Sequence, residues 1–267
     1  MTAQLIATVA LFTALGAPGT AAAAADGHCV VLHDVAKGTT WRSDDTACGV
    51  RLSPASTFKI PHALIALETG AIKPDTIEKR DGRRYPGRTV WEKDHNLRSA
   101  ISNSVLWFFQ RTSIRIGAVP MKGWLEKFSY GNTDTSGDPT MYWVNGRLQI
   151  SPYEQVEFLK RFFANELPVR AEHATYVRGA MVQESGTVRN ATGLHKVTAP
   201  WAKGIQLLTK TGATTADGTG VSWLIGAIDN NGLRHVFASA VWRAGGVDPL
   251  EATKQAVTTL SERGLLK

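Results

Sequence analysis

Ser56 and Lys59 stand three residues apart in the stretch SPASTFKIPH, residues 53–62. On a helix that spacing puts both side chains on one face, where they can meet. A serine hydroxyl is a weak nucleophile until a neighbouring base takes its proton. A lysine can be that base only when its amine is neutral, and burial provides this because desolvation disfavours the ammonium. The apolar run IPHALIAL that follows would supply the burial. If Ser56 also opens the helix, free backbone N–H groups and the dipole favour negative charge near its oxygen. Taken alone, the pair also fits a plainer reading, a serine and a lysine on the edge of a surface helix.

A second element is LLTKTGAT, residues 207–214. Here Lys210, Thr211 and Gly212 end a predicted strand, so a cation, a hydroxyl and a glycine open to close backbone approach share a strand tip. That set suits a carboxylate-bearing acyl substrate lying along the strand, and its plain alternative is a strand running into a glycine turn. Ser104 in ISNSVLW and Trp143 in MYWVNGRLQIS are further candidates. Serine is common in loops and tryptophan in cores, so neither carries chemistry by itself.

These residues need a frame. CVVLHD (29–34) and TTWRS (39–43) read as a hairpin about Ala36, Lys37 and Gly38. IQLLTK (205–210), VSWLIGAID (221–229) and LRHVFASAV (233–241) read as strands, with a turn at DNNG (229–232). The middle is helical in pattern, as in QVEFLKRFF (155–163), and DPLEATKQAVTTLSE (248–262) reads as a last helix opening on an aspartate cap and a proline. An α+β fold follows, with one antiparallel sheet formed by both chain ends and a helical region inserted between them.

With 267 residues, 43% of them hydrophobic and 20% charged, the chain has the composition of one globular domain and excludes disordered or fibrous classes. The first 25 residues carry no charged side chain, are apolar from Leu5 to Leu15, and end in small residues up to Ala25. They read as a secretory signal peptide, because Gly16, Pro18, Gly19 and Thr20 break the run short of the roughly 20 apolar residues a membrane span needs. The expected product is a soluble catalytic domain over 26–267, exported to the periplasm without a membrane anchor. In that oxidising compartment the two cysteines, Cys29 and Cys48, read as one disulfide closing a short loop, the alternative being two buried thiols. With no CxxC pair and no HExxH or HxH among the seven histidines, no metal site is expected. The net charge of +7 is scattered, and the densest basic run, KRDGRR at 79–84, has no interleaved aromatics. It reads as a solvated loop rather than a nucleic-acid surface.

In this order and spacing the motifs resemble the class D (OXA-type) serine β-lactamases. The likeness rests on PASTFKIP, on Ser104 in an S-x-V position, on Tyr130-Gly131-Asn132, on Trp143 before LQIS and on Lys210-Thr211-Gly212, with IALETG, FSYGN, SGD and EQVEFL alongside. The resemblance implies that Ser56 attacks a lactam carbonyl and that Lys59, carboxylated by carbon dioxide or bicarbonate, is the general base. Trp143 would then hold the carbamate through its indole N–H, and Ser104 would relay a proton to the lactam nitrogen. Lys210 and Thr211 would hold the substrate carboxylate, and the amides of Ser56 and Ala213 would form the oxyanion hole beside Gly212. No other cofactor is implied, and the partner is a small-molecule β-lactam.

Two positions depart from the family. The triplet reads Ser104-Val105-Leu106, so a bulkier side chain is expected over the carbamate. Glu251 stands where the family often has a carboxylate-binding arginine on the last helix, which makes Arg243 the expected stand-in or else leaves more of the work to Lys210. Two other readings share these motifs. A D,D-peptidase favours S-x-N at the middle motif, which Leu106 contradicts, and a β-lactam receptor domain acylates without turnover.

Overall fold

The computed structural model describes residues 25–267. The leader expected over 1–25 therefore lies, apart from Ala25, outside the described residues. The chain opens with β1 (Gly27–Asp34) and β2 (Thr39–Arg42), followed by α1 (Asp45–Cys48), a 3-10 turn at Ala55–Phe58, and α2 (Lys59–Glu68). Next come α3 (Leu97–Ser102), α4 (Leu106–Ile116), α5 (Ala118–Lys127), α6 (Pro152–Phe163) and α7 (Ala171–Met181). A small hairpin, β3 (Thr187–Asn190) and β4 (Gly193–Lys196), precedes β5 (Ile205–Ala216), β6 (Thr219–Asn230), β7 (Leu233–Ala244) and α8 (Glu251–Glu262).

The large sheet is antiparallel throughout and runs β2-β1-β7-β6-β5, so the two chain ends pair directly, with Cys29 opposite Ala240. Both faces are covered. Leu32, Leu224 and Phe237 pack against Ala256, Val257 and Leu260 of α8. Their neighbours Val31, Ile225 and Ala238 belong to the main core, with Phe58, Leu64, Phe109, Val156 and Phe158 from the helices. Burial on both sides explains why VSWLIGAI in β6 reads as a nearly continuous apolar run instead of alternating. The expected α+β architecture is the one observed.

Cys29 and Cys48 form a disulfide that ties α1 to β1 across a separation of 19 residues. Closing a loop of that length contributes about 3 kcal/mol on the loop-entropy account.

The structure departs from the sequence reading in four places. β5 does not end at Lys210-Thr211-Gly212 but runs on to Ala216, paired with β6 along its whole length. Gly212 gives space: a Cβ would come within 3.0 Å of Pro54 O and 3.1 Å of Thr57 Cγ2, so glycine lets the strand lie against the turn carrying Ser56 without displacing it. α6 begins earlier, at Pro152, because Ser151 and Glu154 form a reciprocal capping box. α8 begins later, since Asp248 accepts hydrogen bonds from the Leu250 amide and from Lys254 Nζ and leaves Leu250 as the cap position. The hairpin β3–β4 was not anticipated, its strands of four residues being too short to show a period.

Candidate active site

Ser56 lies in the 3-10 turn, and Lys59 is the first residue of α2. The segment before them is fixed from three sides. Leu52 and Ile150 exchange backbone hydrogen bonds at 2.9 and 3.0 Å, Ser53 Oγ donates to Trp143 O at 2.9 Å, and Trp223 Nε1 donates to Ser53 O at 2.9 Å. From α6, Gln155 Nε2 donates to Thr57 Oγ1 at 2.8 Å. Gly131 has φ +56, and a Cβ there would run into the Gln149 carbonyl, so Tyr130-Gly131-Asn132 is the hinge on which the LQIS segment docks. Ala55, just before the serine, has φ +47, in the left-handed region that costs a residue with a Cβ about 1–2 kcal/mol. The surrounding bonds hold that strain in place.

Lys59 Nζ donates to Ser56 Oγ at 2.7 Å. The amine is 1% exposed and lies 5.5 Å from the centre of the Phe109 ring. Burial first, then the positive charges of Lys210 and Arg88, hold its pKa well below that of an ordinary lysine. One turn on, His62 is fully buried, with its ring 5.1 Å from Phe109 and 5.6 Å from Trp143, and its Nε2 3.0 Å from Thr112 Oγ1. Burial, and then Lys59, push its pKa down to about 3. Trp143 is also fully buried, and its indole Nε1 has no hydrogen-bond partner among the described residues.

A second lysine–serine pair faces the first. Ser104 follows α3 with φ +54, another left-handed residue. Lys210 Nζ, on β5, donates to Ser104 Oγ at 3.0 Å and to Thr211 O at 2.8 Å. Burial pushes Lys210 down to about 7. Both serines line a cleft of about 90 Å³, together with Thr211, Gly212 and Ala213 of the edge strand β5. Neither lysine is among the lining residues; each reaches the cleft through a serine oxygen that is. Among the described residues, no group of three or more His, Cys, Asp or Glu side chains could hold a metal ion.

Two expected members of the site are elsewhere. Arg243 sits on the α8 side of β7, where Nη2 pairs with Glu251 at 3.0 Å and Nη1 donates to Gly27 O at 3.1 Å. It borders a separate hollow with His28 and Thr259. The position that breaks the family pattern, Glu251, is therefore the ion-pair partner of Arg243 on the α8 side of the sheet. Leu106 opens α4 and packs half-buried against the main core; it is absent from the cleft lining.

The structure adds lining residues that the sequence reading did not single out: Arg88, Pro249, and Asn190 to Thr192 at the β3–β4 turn. Arg88 follows the basic run, in which Lys79, Arg83 and Arg84 pair locally with Asp94, Asp81 and Glu92. No period or motif marks it, and only the loop's path brings it to the cleft.

Residues 29–259 match the penicillin-binding protein transpeptidase domain. The chain is 40% identical over 165 residues to the β-lactamase OXA-20 of Pseudomonas aeruginosa, an alignment covering 60% of this chain and 61% of that protein. With the probable β-lactamase YbxI of Bacillus subtilis it shares 32% identity over 88% of this chain and 80% of that one. Among solved structures, the class D β-lactamase BAT-2 superposes with a TM-score of 0.76 at 29% identity, covering 91% of this chain and 93% of that one. The C-terminal domain of the Bacillus licheniformis BlaR penicillin-receptor gives 0.78 at 28% identity, covering 91% and 92%. The chain thus belongs to the transpeptidase family of penicillin-binding proteins, among its class D β-lactamase-like members.

Proposed function

We propose that this chain hydrolyses β-lactams through an acyl-enzyme on Ser56, with a carboxylated Lys59 as general base. The observation that carries the reading is the 2.7 Å contact between a buried lysine amine of depressed pKa and a serine oxygen that lines a cleft. Ser56 Oγ attacks the lactam carbonyl carbon and gives its proton to the Lys59 side chain. The carbonyl oxygen gathers negative charge beside the amides of Ser56 and Ala213, the oxyanion hole. As the ring C–N bond breaks, the nitrogen receives a proton from Ser104, which is resupplied by Lys210 along their 3.0 Å contact. Lys59 gives up that first proton to solvent; water then attacks the ester, its proton passing to Lys59 and on to Ser56 Oγ as the ester C–O bond breaks, which frees both serine and base.

The chain's residues fit carboxylation of Lys59. Carbon dioxide adds only to a neutral amine, and burial favours that form here. A buried donor without an acceptor costs about 1–3 kcal/mol, and a carbamate on Lys59 would give the Trp143 indole N–H the acceptor it lacks. When present, the carbamate supplies an anionic base near neutral pH.

An exported, soluble enzyme fits the charge-free leader sequence and the Cys29–Cys48 disulfide. Among the described residues no helix is long and apolar enough to cross a membrane. The likeness to the BlaR receptor domain favours one other reading, a sensor that acylates and stops. Hydrolysis of a chromogenic cephalosporin, with and without bicarbonate, separates the two. Turnover stimulated by bicarbonate supports the enzyme; a stable Ser56 adduct without turnover supports the sensor, and absence of any adduct rejects both.

A further inference from the structure

The two lysines of the cleft are buried and engaged by serines, and Arg243 is engaged by Glu251. That leaves the cleft with one positively charged side chain among its lining residues, Arg88. Among the described residues the lining includes no aspartate or glutamate, and the ion pairs of this loop go to Lys79, Arg83 and Arg84, not to Arg88. Its guanidinium lies 5.0 Å from the centre of the Trp91 ring. That ring is a fixed platform. Trp91 is 5% exposed, its Nε1 donates to Asn103 O at 3.0 Å, and its carbonyl accepts from Trp107 Nε1 at 3.1 Å. The platform is therefore tied to the residue next to Ser104, so the cation and the proton-relaying serine are positioned by one network. Arg88 lines the same cleft as Ser56 and Ser104, which places its charge beside the reacting groups.

We infer that Arg88 is the substrate-anchoring residue of this site, a planar cation that takes a carboxylate of the β-lactam. The inference rests on the acyl-enzyme reading above. A guanidinium stacked on an indole presents its N–H edge to a carboxylate, whereas a lysine offers only a point charge. β-Lactams bring a carboxylate from two sources, the fused-ring nucleus and, in some penicillins, the side chain.

The test is the concentration dependence of acylation, followed by intact mass, for wild type, Arg88→Ala and Arg88→Lys. It yields the dissociation constant of the pre-acylation complex separately from the acylation rate at saturation. Arg88→Ala is expected to weaken that complex about tenfold, and Arg88→Lys to recover part of the loss. The saturating rate reports any effect routed through Lys59. Equal weakening for benzylpenicillin and for a penicillin with a second, side-chain carboxylate assigns the contact to the nucleus, and weakening confined to the second assigns it to the side chain. An unchanged dissociation constant for both removes Arg88 from binding. Failure of wild type itself to acylate would instead reject the underlying function, so the two failures are distinguishable.

Discussion

Lys59 Nζ lies 2.7 Å from Ser56 Oγ across the junction between a 3-10 turn and α2. The turn matters to the contact because it brings the two side chains together at the point where the chain enters the helix. The amine lies over Phe109 of α4, which joins the main core together with the apolar residues of α2, so the base and the fold share contacts.

Trp143→Phe keeps an aromatic ring against Phe58 and Tyr142 but removes the indole N–H. Acylation of Ser56 is expected to persist while deacylation slows by about tenfold or more, and added bicarbonate should restore part of the turnover. Burst kinetics with a chromogenic substrate measure this. Normal turnover without bicarbonate would return Trp143 to a packing role.

Gly212→Ala tests the close approach of β5 to the nucleophile turn. The contacts at 3.0 to 3.2 Å involve Pro54 O and the Thr57 amide, backbone atoms that cannot rotate away. Melting and acylation assays are expected to show a loss of about 1–3 kcal/mol in stability together with slower acylation, as the turn is displaced. An undisturbed acylation rate would mean that the turn has slack.

His62 provides a pH test. Its folded pKa, about 3, lies below the ordinary 6.5, so between those values the unfolded chain binds a proton that the folded chain refuses. Stability should therefore fall on acidification from about pH 6.5, by roughly 1.4 kcal/mol per pH unit from this group alone. His62→Gln should flatten that limb in denaturant titrations run at pH 7 and pH 5. If both proteins lose the same stability, another group governs the acid limb.

Arg243→Ala should leave KM and kcat for penicillins unaltered, because Arg243 faces Glu251 and not the cleft. The ion pair is about one-third exposed on each side, so its loss should cost under about 1 kcal/mol. Steady-state kinetics decide it, and a raised KM would reinstate Arg243 at the site.

Much of this site is legible in the chain because its chemistry is local. Ser56 and Lys59 are three residues apart and Lys210-Thr211-Gly212 is contiguous, so each motif can be read whole, although it is their joint order, by resemblance to the class D β-lactamases, that sets them apart from a helix edge and a glycine turn. The position of Gly212 within β5 was not legible, since a glycine required by the approach of a distant turn looks the same in sequence as a glycine required by a bend. Arg243 was expected at the site and Arg88 was not, for a related reason: what surrounds each of them is not local in sequence. Whether Arg243 is free depends on where Glu251, eight residues away, lies in space, and whether Arg88 reaches the cleft depends on the path of its loop.

The pairing of the chain ends also fixes when this protein can fold. β1 sits between β2 and β7, and Arg243 Nη1 reaches Gly27 O across 216 residues of sequence. Forming that pair requires closing a loop of nearly the whole chain, a costly step that topology places late and makes slow. Until β7 arrives, one edge of β1 stays open and the sheet has no middle. The chain remains short of its native state until residues 233–244 join it, which keeps it pliable through most of its synthesis.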